Sequence, residues 1–457
     1  MTNDMTKGNP LKIFIYFTIP LLIGNIFQQL YSMVDTIIVG RFVGVNALAA
    51  LGACNSLFFL VNGLVLGLTS GFAVLVAQKF GAKDEKGVKK AVASNITLTI
   101  VLTVIITIVA LLAVKPLLNM MNTPENIYED ARVYITLIYA GIITQTGYNM
   151  AAGILRALGD SKTPLYFLIV ASILNVILDL IFIINFNMGV AGAAYATNIA
   201  QGVSAVLCFI YSYKKFKILR LKKEDFKVEK EYYTTHLKIA IPMSMQFSVT
   251  AVGIIIIQSA INTFGSVVIA SYTAASKVLQ LVMQPSTSFG VTVATYAGQN
   301  LGAGRFDRIK HGIKIMNIVS IITSLIAGVV LVTLGKYFVM LFIENPTPEI
   351  FDYAQQVLNY SAIFFIPLGF IFVYRNVLQG MGESFVPMMA GFFELAARAT
   401  VAFTLPKVIG FMGICLSDPI AWISACVPLM LTYYIKMKKI DKKNKLNEEI
   451  NNPAEVL

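Results

Sequence analysis

Two carboxylates interrupt sequence that is otherwise almost wholly apolar. Asp35 lies in QQLYSMVDTIIVG and Asp179 in SILNVILDLIFII. An ionisable group in hydrocarbon is expensive, so each calls for a role. Asn175 precedes Asp179 by one helical turn and shares its face. Thr197 and Asn198 follow in AAYATNIAQ. If the helices that carry them pack together, their oxygens make one polar pocket. Two carboxylates in a medium of low dielectric cannot both ionise cheaply, so one holds a proton or both hold a cation. Carboxylate, amide and hydroxyl oxygens suit a hard ion such as Na+. Asp35, Asn175, Asp179 and Thr197 are therefore the candidate cation-coupling set, with Na+ as the only metal considered. The alternative is that the aspartates are hydrogen-bonders in helix packing.

Other polar residues invite weaker readings. Glu394 and Arg398 in FFELAARAT have ion-pair spacing on a helix, which fits a gate pair or, as the blander choice, a neutralised structural pair. Lys277 reads as snorkelling or locally paired, and Asp418, just before Pro419, as a helix cap. Pro20 removes a backbone hydrogen bond from the helix of Asp35 and marks a hinge or a static kink. Gln28, Gln29, Tyr31, Tyr139, Asn149, Met150, Gln246 and Met283 are candidates to line a substrate cavity, since Met and aromatic side chains give an adaptable apolar surface. Ordinary packing competes with that reading at every one of them. No catalytic residues are assigned. Walker loop, GxSxG, HExxH and CxxC patterns do not occur, and His236 and His311 fall in expected loops. A hydrolase or an ATP-driven pump is unsupported, and no cofactor is expected beyond a coupling ion, H+ or Na+.

The elements that must position these groups are membrane spans. Of 457 residues, 57% are hydrophobic and 13% charged, against about 25% charged in a soluble domain. Mean hydropathy is +0.73. Apolar stretches long enough to cross a bilayer recur at 11–39, 46–78, 91–121, 127–155, 163–184, 189–213, 237–263, 267–298, 313–343, 350–380, 385–407 and 412–435. The expectation is an all-α polytopic membrane protein with twelve transmembrane helices. Runs of this length exclude a porin-like barrel. The first is too long for a signal-peptide core and reads as a retained helix. Cys54, Cys208, Cys415 and Cys426 lie in apolar sequence without metal-ligand spacing.

Charge placement gives an orientation. The 36 basic residues outnumber the 24 acidic ones, and the excess concentrates on one side of the expected spans. Lys79 to Lys90, Lys214 to Lys238, Arg305 to Lys314 and Lys436 to Lys445 share that side, whereas Arg41, Lys115, Arg132, Lys336 and Lys407 lie opposite. This asymmetry predicts both termini in the cytoplasm, and marks topology rather than nucleic-acid binding. The expected organisation is an N-terminal six-helix lobe at 1–213, a charged cytoplasmic linker at 214–235, a C-terminal six-helix lobe at 236–437 and a polar, disordered cytoplasmic tail at 438–457.

The two lobes repeat one another. Ile19-Pro20 matches Ile241-Pro242, AQKFGAKDEK matches GQNLGAGRFD, ILRALGDSKTP matches VLQGMGESFVP, and Gly189-Val190 matches Gly413-Ile414. An even number of helices per repeat predicts two bundles related by a pseudo-two-fold axis along the membrane normal, the plan that supports alternating access. In this register Asp35 aligns with Ile257, Asp179 with Ala402 and Thr197 near Ala421. The fold itself does not require the polar cluster.

Over essentially its full length the chain resembles the multidrug and toxic compound extrusion (MATE) transporters. The likeness rests on QQLYSMVDTIIVGRFVGVNALAALG, on AQKFGA and its copy GQNLGAG, on ILRALGDSKTP and its copy VLQGMGESFVP, and on GVAGAAYATNIAQ. LNVILD resembles the DinF-like branch, in which Asp35, Asn175, Asp179 and Thr197 match an N-lobe cation site, and Gln28 and Tyr31 match cavity-facing positions. Acidic residues that other branches carry in the seventh and tenth helices are absent. The resemblance implies a secondary active antiporter of the bacterial plasma membrane, which exports amphipathic, often cationic compounds in exchange for H+ or Na+. A monomer suffices. The alternative within transport is a flippase of a lipid-linked precursor, against which stands the scarcity of cationic side chains in the spans. An intramembrane protease using Asp35 and Asp179 lacks its motif.

Overall fold

The computed structural model describes residues 4–343 and 347–451. The helices run α1 Pro10–Phe42, α2 Val45–Gly81, α3 Glu85–Met120, α4 Glu125–Ala140, α5 Ile142–Ala157, α6 Lys162–Leu180, α7 Gly189–Lys215 and α8 Lys230–Ile261. They continue as α9 Ser266–Val282, α10 Gln284–Gly302, α11 Phe306–Val339, α12 Pro348–Ile363, α13 Phe365–Gly380, α14 Phe385–Thr404, α15 Pro406–Ile409, α16 Phe411–Cys415 and α17 Ser417–Asn451. No strand occurs among the described residues. Every backbone polar group in hydrocarbon must be satisfied within its own segment, and helices do this. Stripes of large apolar side chains, such as Ile100, Val104, Ile108 and Leu112 on α3, remain exposed and suit a lipid-facing surface.

Among the described residues, ten helical segments are long and apolar enough to cross a membrane, and the α12–α13 pair makes an eleventh span bent by 54°. The α4–α5 pair fills the remaining expected position. Three spans expected as single helices are broken near their middles, and those at 385–407 and 412–435 near one end. At Gly141 the break has a tertiary cause: Asn198 on α7 donates Nδ2–H to the Leu137 carbonyl at 2.8 Å. A Cβ on Gly141 would lie 2.1 Å from Asn198. At Phe364 the helix tightens to an i→i−3 bond onto Ser361, and Ser324 on α11 donates to the Phe365 carbonyl at 3.1 Å. At Met283 the cause is local. Pro285 lacks an N–H and disfavours the α conformation of the residue before it.

The repeat read from the sequence is present in the backbone. Gly159 and Gly382, matched residues of ALGDSK and GMGESF, have φ of 86° and 84°. Both sit at a helix end where only glycine takes this conformation without strain.

The chain packs as two units, Met1–Ala251 and Val252–Leu457. The division falls within α8 rather than in the charged linker, where two short 3-10 turns, Lys217–Leu219 and Lys223–Phe226, connect α7 to α8. The first half of α8 packs on a glycine stripe of α2. Cβ atoms on Gly67 and Gly71 would lie 2.5 Å from the Cα atoms of Ser244 and Ala240. Ser244 Oγ also donates to the Leu64 carbonyl at 3.1 Å. Small residues at such a crossing let the backbones approach.

The polar segment expected as a disordered tail from residue 438 begins as a continuation of α17, through Asn451. Lys310 pairs with Asp441, and Lys436 with Glu383 at 2.7 Å, which anchors its first turns. Residues 452–457 lie outside the described residues.

Candidate cation and substrate site

Within the N-terminal unit, α1, α6 and α7 bring the expected cluster together. Asp35 on α1 is 9% exposed, Asn175 and Asp179 on α6 are 1% and 0% exposed. The carboxyl groups of Asp35 and Asp179 are close enough to interact directly. Asn175 Nδ2 approaches Thr197 Oγ1 at 3.5 Å. A small cavity lies one turn away from the two aspartates, lined by Tyr31, Ser172, Asn175, Thr197, Ala200 and Gln201 with Leu168 and Ala171. It has room for about one water or one small ion.

The chemistry of the cluster is one-sided. Asp35 Oδ1, both Asp179 carboxylate oxygens, Asn175 Oδ1 and Gln201 Oε1 are buried with no hydrogen-bond partner. All five are oxygens, and a buried polar group without a partner costs about 1–3 kcal/mol, more if charged. An arrangement in which buried acceptors outnumber the donors suits something that donates or is positively charged. Two carboxylates this close and out of water repel each other, and a proton or a monovalent cation between them removes the repulsion. Immediately beyond Asp179, α6 widens into a π-helical turn at Ile181–Asn185. Such turns loosen the i→i−4 ladder and recur at functional sites.

The remaining expected residues scatter. Tyr31 lines the small cavity. Gln28 is exposed on α1, and Asn149 and Met283 are half-buried. Tyr139 is buried, with its hydroxyl spent on the Leu57 carbonyl at 3.0 Å. Met150 lies in a core cluster with Leu155 and Leu168, and Gln246 is buried on α8. Pro20 is buried within α1, which runs through it unbroken. Lys277 is exposed on α9.

The expected pair Glu394–Arg398 is formed at 2.8 Å, but it belongs to a larger network in the C-terminal unit. Arg398 Nε also donates to Asp418 at 2.9 Å, and Arg375 on α13 donates to Glu394 at 3.0 Å. Asp418, expected to cap a helix, lies within the first turn of α17 and holds a guanidinium. Arg375 falls within the span expected at 350–380 and is drawn into this network. His236, expected in a loop, is fully buried on α8, where its Nε2 contacts Ser94 Oγ at 3.0 Å and the Ala91 carbonyl at 3.1 Å. Gln201 was not among the expected residues. It stands one turn from Thr197 on the same face, and that spacing is the signal the sequence offers for it.

A duplicated set of long apolar helices, with an acidic pocket deep inside one repeat, defines a polytopic membrane transporter rather than an enzyme. The MatE family model matches twice, over residues 20–181 and 242–404, and the chain belongs to that family. The chain is 29% identical to the probable multidrug resistance protein YpnP of Bacillus subtilis (strain 168), with 95% of this chain and 97% of that protein aligned. It is 27% identical to the probable multidrug resistance protein YoeA of the same organism, with 95% of each covered. A solved "outward-facing conformation of a multidrug resistance MATE family transporter of the MOP superfamily" superposes with a TM-score of 0.89 at 24% identity, covering 95% of this chain and 98% of that one.

Proposed function

We propose that the protein is a secondary active multidrug efflux antiporter that exports amphipathic, often cationic compounds in exchange for H+ or Na+ by alternating access. The observation that carries this reading is the group of unpartnered oxygens around Asp35 and Asp179 in the N-terminal unit. Asp35, Asn175, Asp179 and Thr197 take the coupling ion, with Gln201 as a further oxygen. The names of the relatives YpnP and YoeA support the substrate class. Charge placement supports a plasma-membrane protein with both termini in the cytoplasm.

Ion entry offsets one of the two carboxylate charges, which relieves the repulsion between α1 and α6. Pro20, where α1 lacks one backbone hydrogen bond, and the π-helical turn after Asp179 are the points at which the two helices can respond. Against a flippase of anionic lipid-linked precursors stands the fate of the buried cations. Arg375 and Arg398 are already neutralised by Glu394 and Asp418.

The test is ethidium efflux from reconstituted vesicles, with a proton gradient and a sodium gradient imposed separately, for wild type and Asp35→Asn. Gradient-driven efflux by wild type that is lost in the variant supports the antiporter and names its ion. Undiminished efflux in Asp35→Asn would sink it.

A further inference from the structure

The repeat assigns Arg398 and Glu394 of the C-terminal charge network counterparts in the N-terminal unit. The two MatE matches begin at 20 and 242 and end at 181 and 404, offsets of 222 and 223. Pro164 and Pro387 fix the later offset along α6 and α14. Arg398 then stands at the position of Asn175, and Glu394 at that of Ala171, which lines the N-terminal cavity. Along α1 and α8 the earlier offset places Gly253 at the position of Tyr31. The Arg398 guanidinium fills the space this exchange leaves: a Cβ on Gly253 would lie 2.4 Å from Arg398 Nη1. The replacement is reciprocal. Where the N-terminal unit has Asp35 and Asp179, the C-terminal unit has Ile257 and Ala402.

We infer that the C-terminal unit contains a monovalent cation site permanently occupied by its own guanidinium. Arg398 Nη2 donates to Glu394 Oε1 at 2.8 Å and Arg398 Nε to Asp418 Oδ1 at 2.9 Å. Tyr272 donates to the second Asp418 oxygen at 3.4 Å, and Arg375 occupies the second Glu394 oxygen at 3.0 Å. The carboxylates are thereby satisfied, unlike Asp35 and Asp179. The Arg398 side chain is 8% exposed, so this is a desolvated cation held by two fixed anions. A tethered cation cannot exchange with solvent, so this unit contributes no coupling ion. Removing the guanidinium leaves the two carboxylates facing a vacated space that suits a small monovalent cation, guanidinium itself first and Na+ second. The inference rests on the proposed N-terminal cation site only for the comparison between repeats, and its test is made with that site removed.

The experiment uses the full-length protein in detergent carrying Asp35→Asn and Asp179→Asn. Its thermal midpoint is followed against guanidinium or sodium chloride at millimolar concentration, with choline chloride at equal ionic strength as control. With Arg398 intact, the expected result is no shift with either cation. With Arg398→Asn added, a saturable rise in the midpoint is expected, larger for guanidinium, and it disappears when Glu394→Gln is added as well. A response while Arg398 is intact would show an exchangeable site already present and overturn the inference. So would the absence of any response in the Arg398→Asn protein, or a protein that misfolds with this substitution and is not recovered by guanidinium during purification. Failure of the N-terminal reading shows separately, as unchanged dye efflux on Asp35→Asn alone.

Discussion

Asp35 and Asp179 face each other across α1 and α6, and three of their four carboxylate oxygens have no hydrogen-bond partner in the protein. A pair arranged for stability would have been given donors. The expected signature is therefore a split between stability and function. Asp179→Asn removes one charge from a repelling pair, so its thermal midpoint in detergent should equal or exceed that of wild type, while gradient-driven efflux falls to background. Scanning fluorimetry and vesicle efflux on the same preparation check this. A midpoint lowered by many degrees would mean that the carboxylate is structural.

The C-terminal network behaves in the opposite way. Glu394 accepts from both Arg375 and Arg398, so Glu394→Gln leaves buried guanidinium groups short of an anion. Removing one partner of a buried pair costs about 3–5 kcal/mol. The double variant Glu394→Gln with Arg375→Met removes a charge of each sign, keeps the Arg398–Asp418 pair and should recover most of that loss. Denaturation of the three proteins side by side measures the difference.

The crossing of α2 and α8 tolerates no side chain. Gly71→Ala should destabilise the protein by about 2 kcal/mol or more, since a methyl group there would press on the Ala240 backbone. Gly52, on the same helix, is the control, because a Cβ added there would meet nothing within 4 Å. Gly52→Ala should be neutral or stabilising by about 0.4–1 kcal/mol. Thermal midpoints of the two variants decide.

Tyr139 is placed by the structure in a core cluster beside Ile135 and Ile138. Tyr139→Phe should lower stability by about 0.5–1.5 kcal/mol through loss of the bond to Leu57, and leave the efflux rates of chemically different dyes in unchanged proportion. A changed dye preference would return Tyr139 to the substrate path.

What the sequence made legible was largely what helical periodicity and the repeat encode. Asp35, Asn175 and Asp179 stand out because they are polar in apolar runs, and one helical turn links the last two. The helix break at Gly141 was not legible, because its cause lies on another helix, in the amide of Asn198. The pairing of Arg375 was not legible for a related reason, since the Glu394 carboxylate that holds it lies on another helix. The polar tail failed on the same ground, since composition alone does not reveal the anchors at Lys310 and Glu383. The substrate-cavity residues were the least legible. Met, Tyr and Gln serve cores and cavities alike, as Met150 and Tyr139 demonstrate.

The Arg375–Glu394–Arg398–Asp418 network carries two positive and two negative charges. A membrane potential does work of about 2.3 kcal/mol on each elementary charge moved through 100 mV, and none on a neutral block carried along with its helices. Whatever path α13, α14 and α17 follow during a transport cycle, this cluster adds nothing to its electrical work. Under the proposed function, the voltage dependence then falls on the charges that come and go: the ion proposed to enter between Asp35 and Asp179, and the cargo.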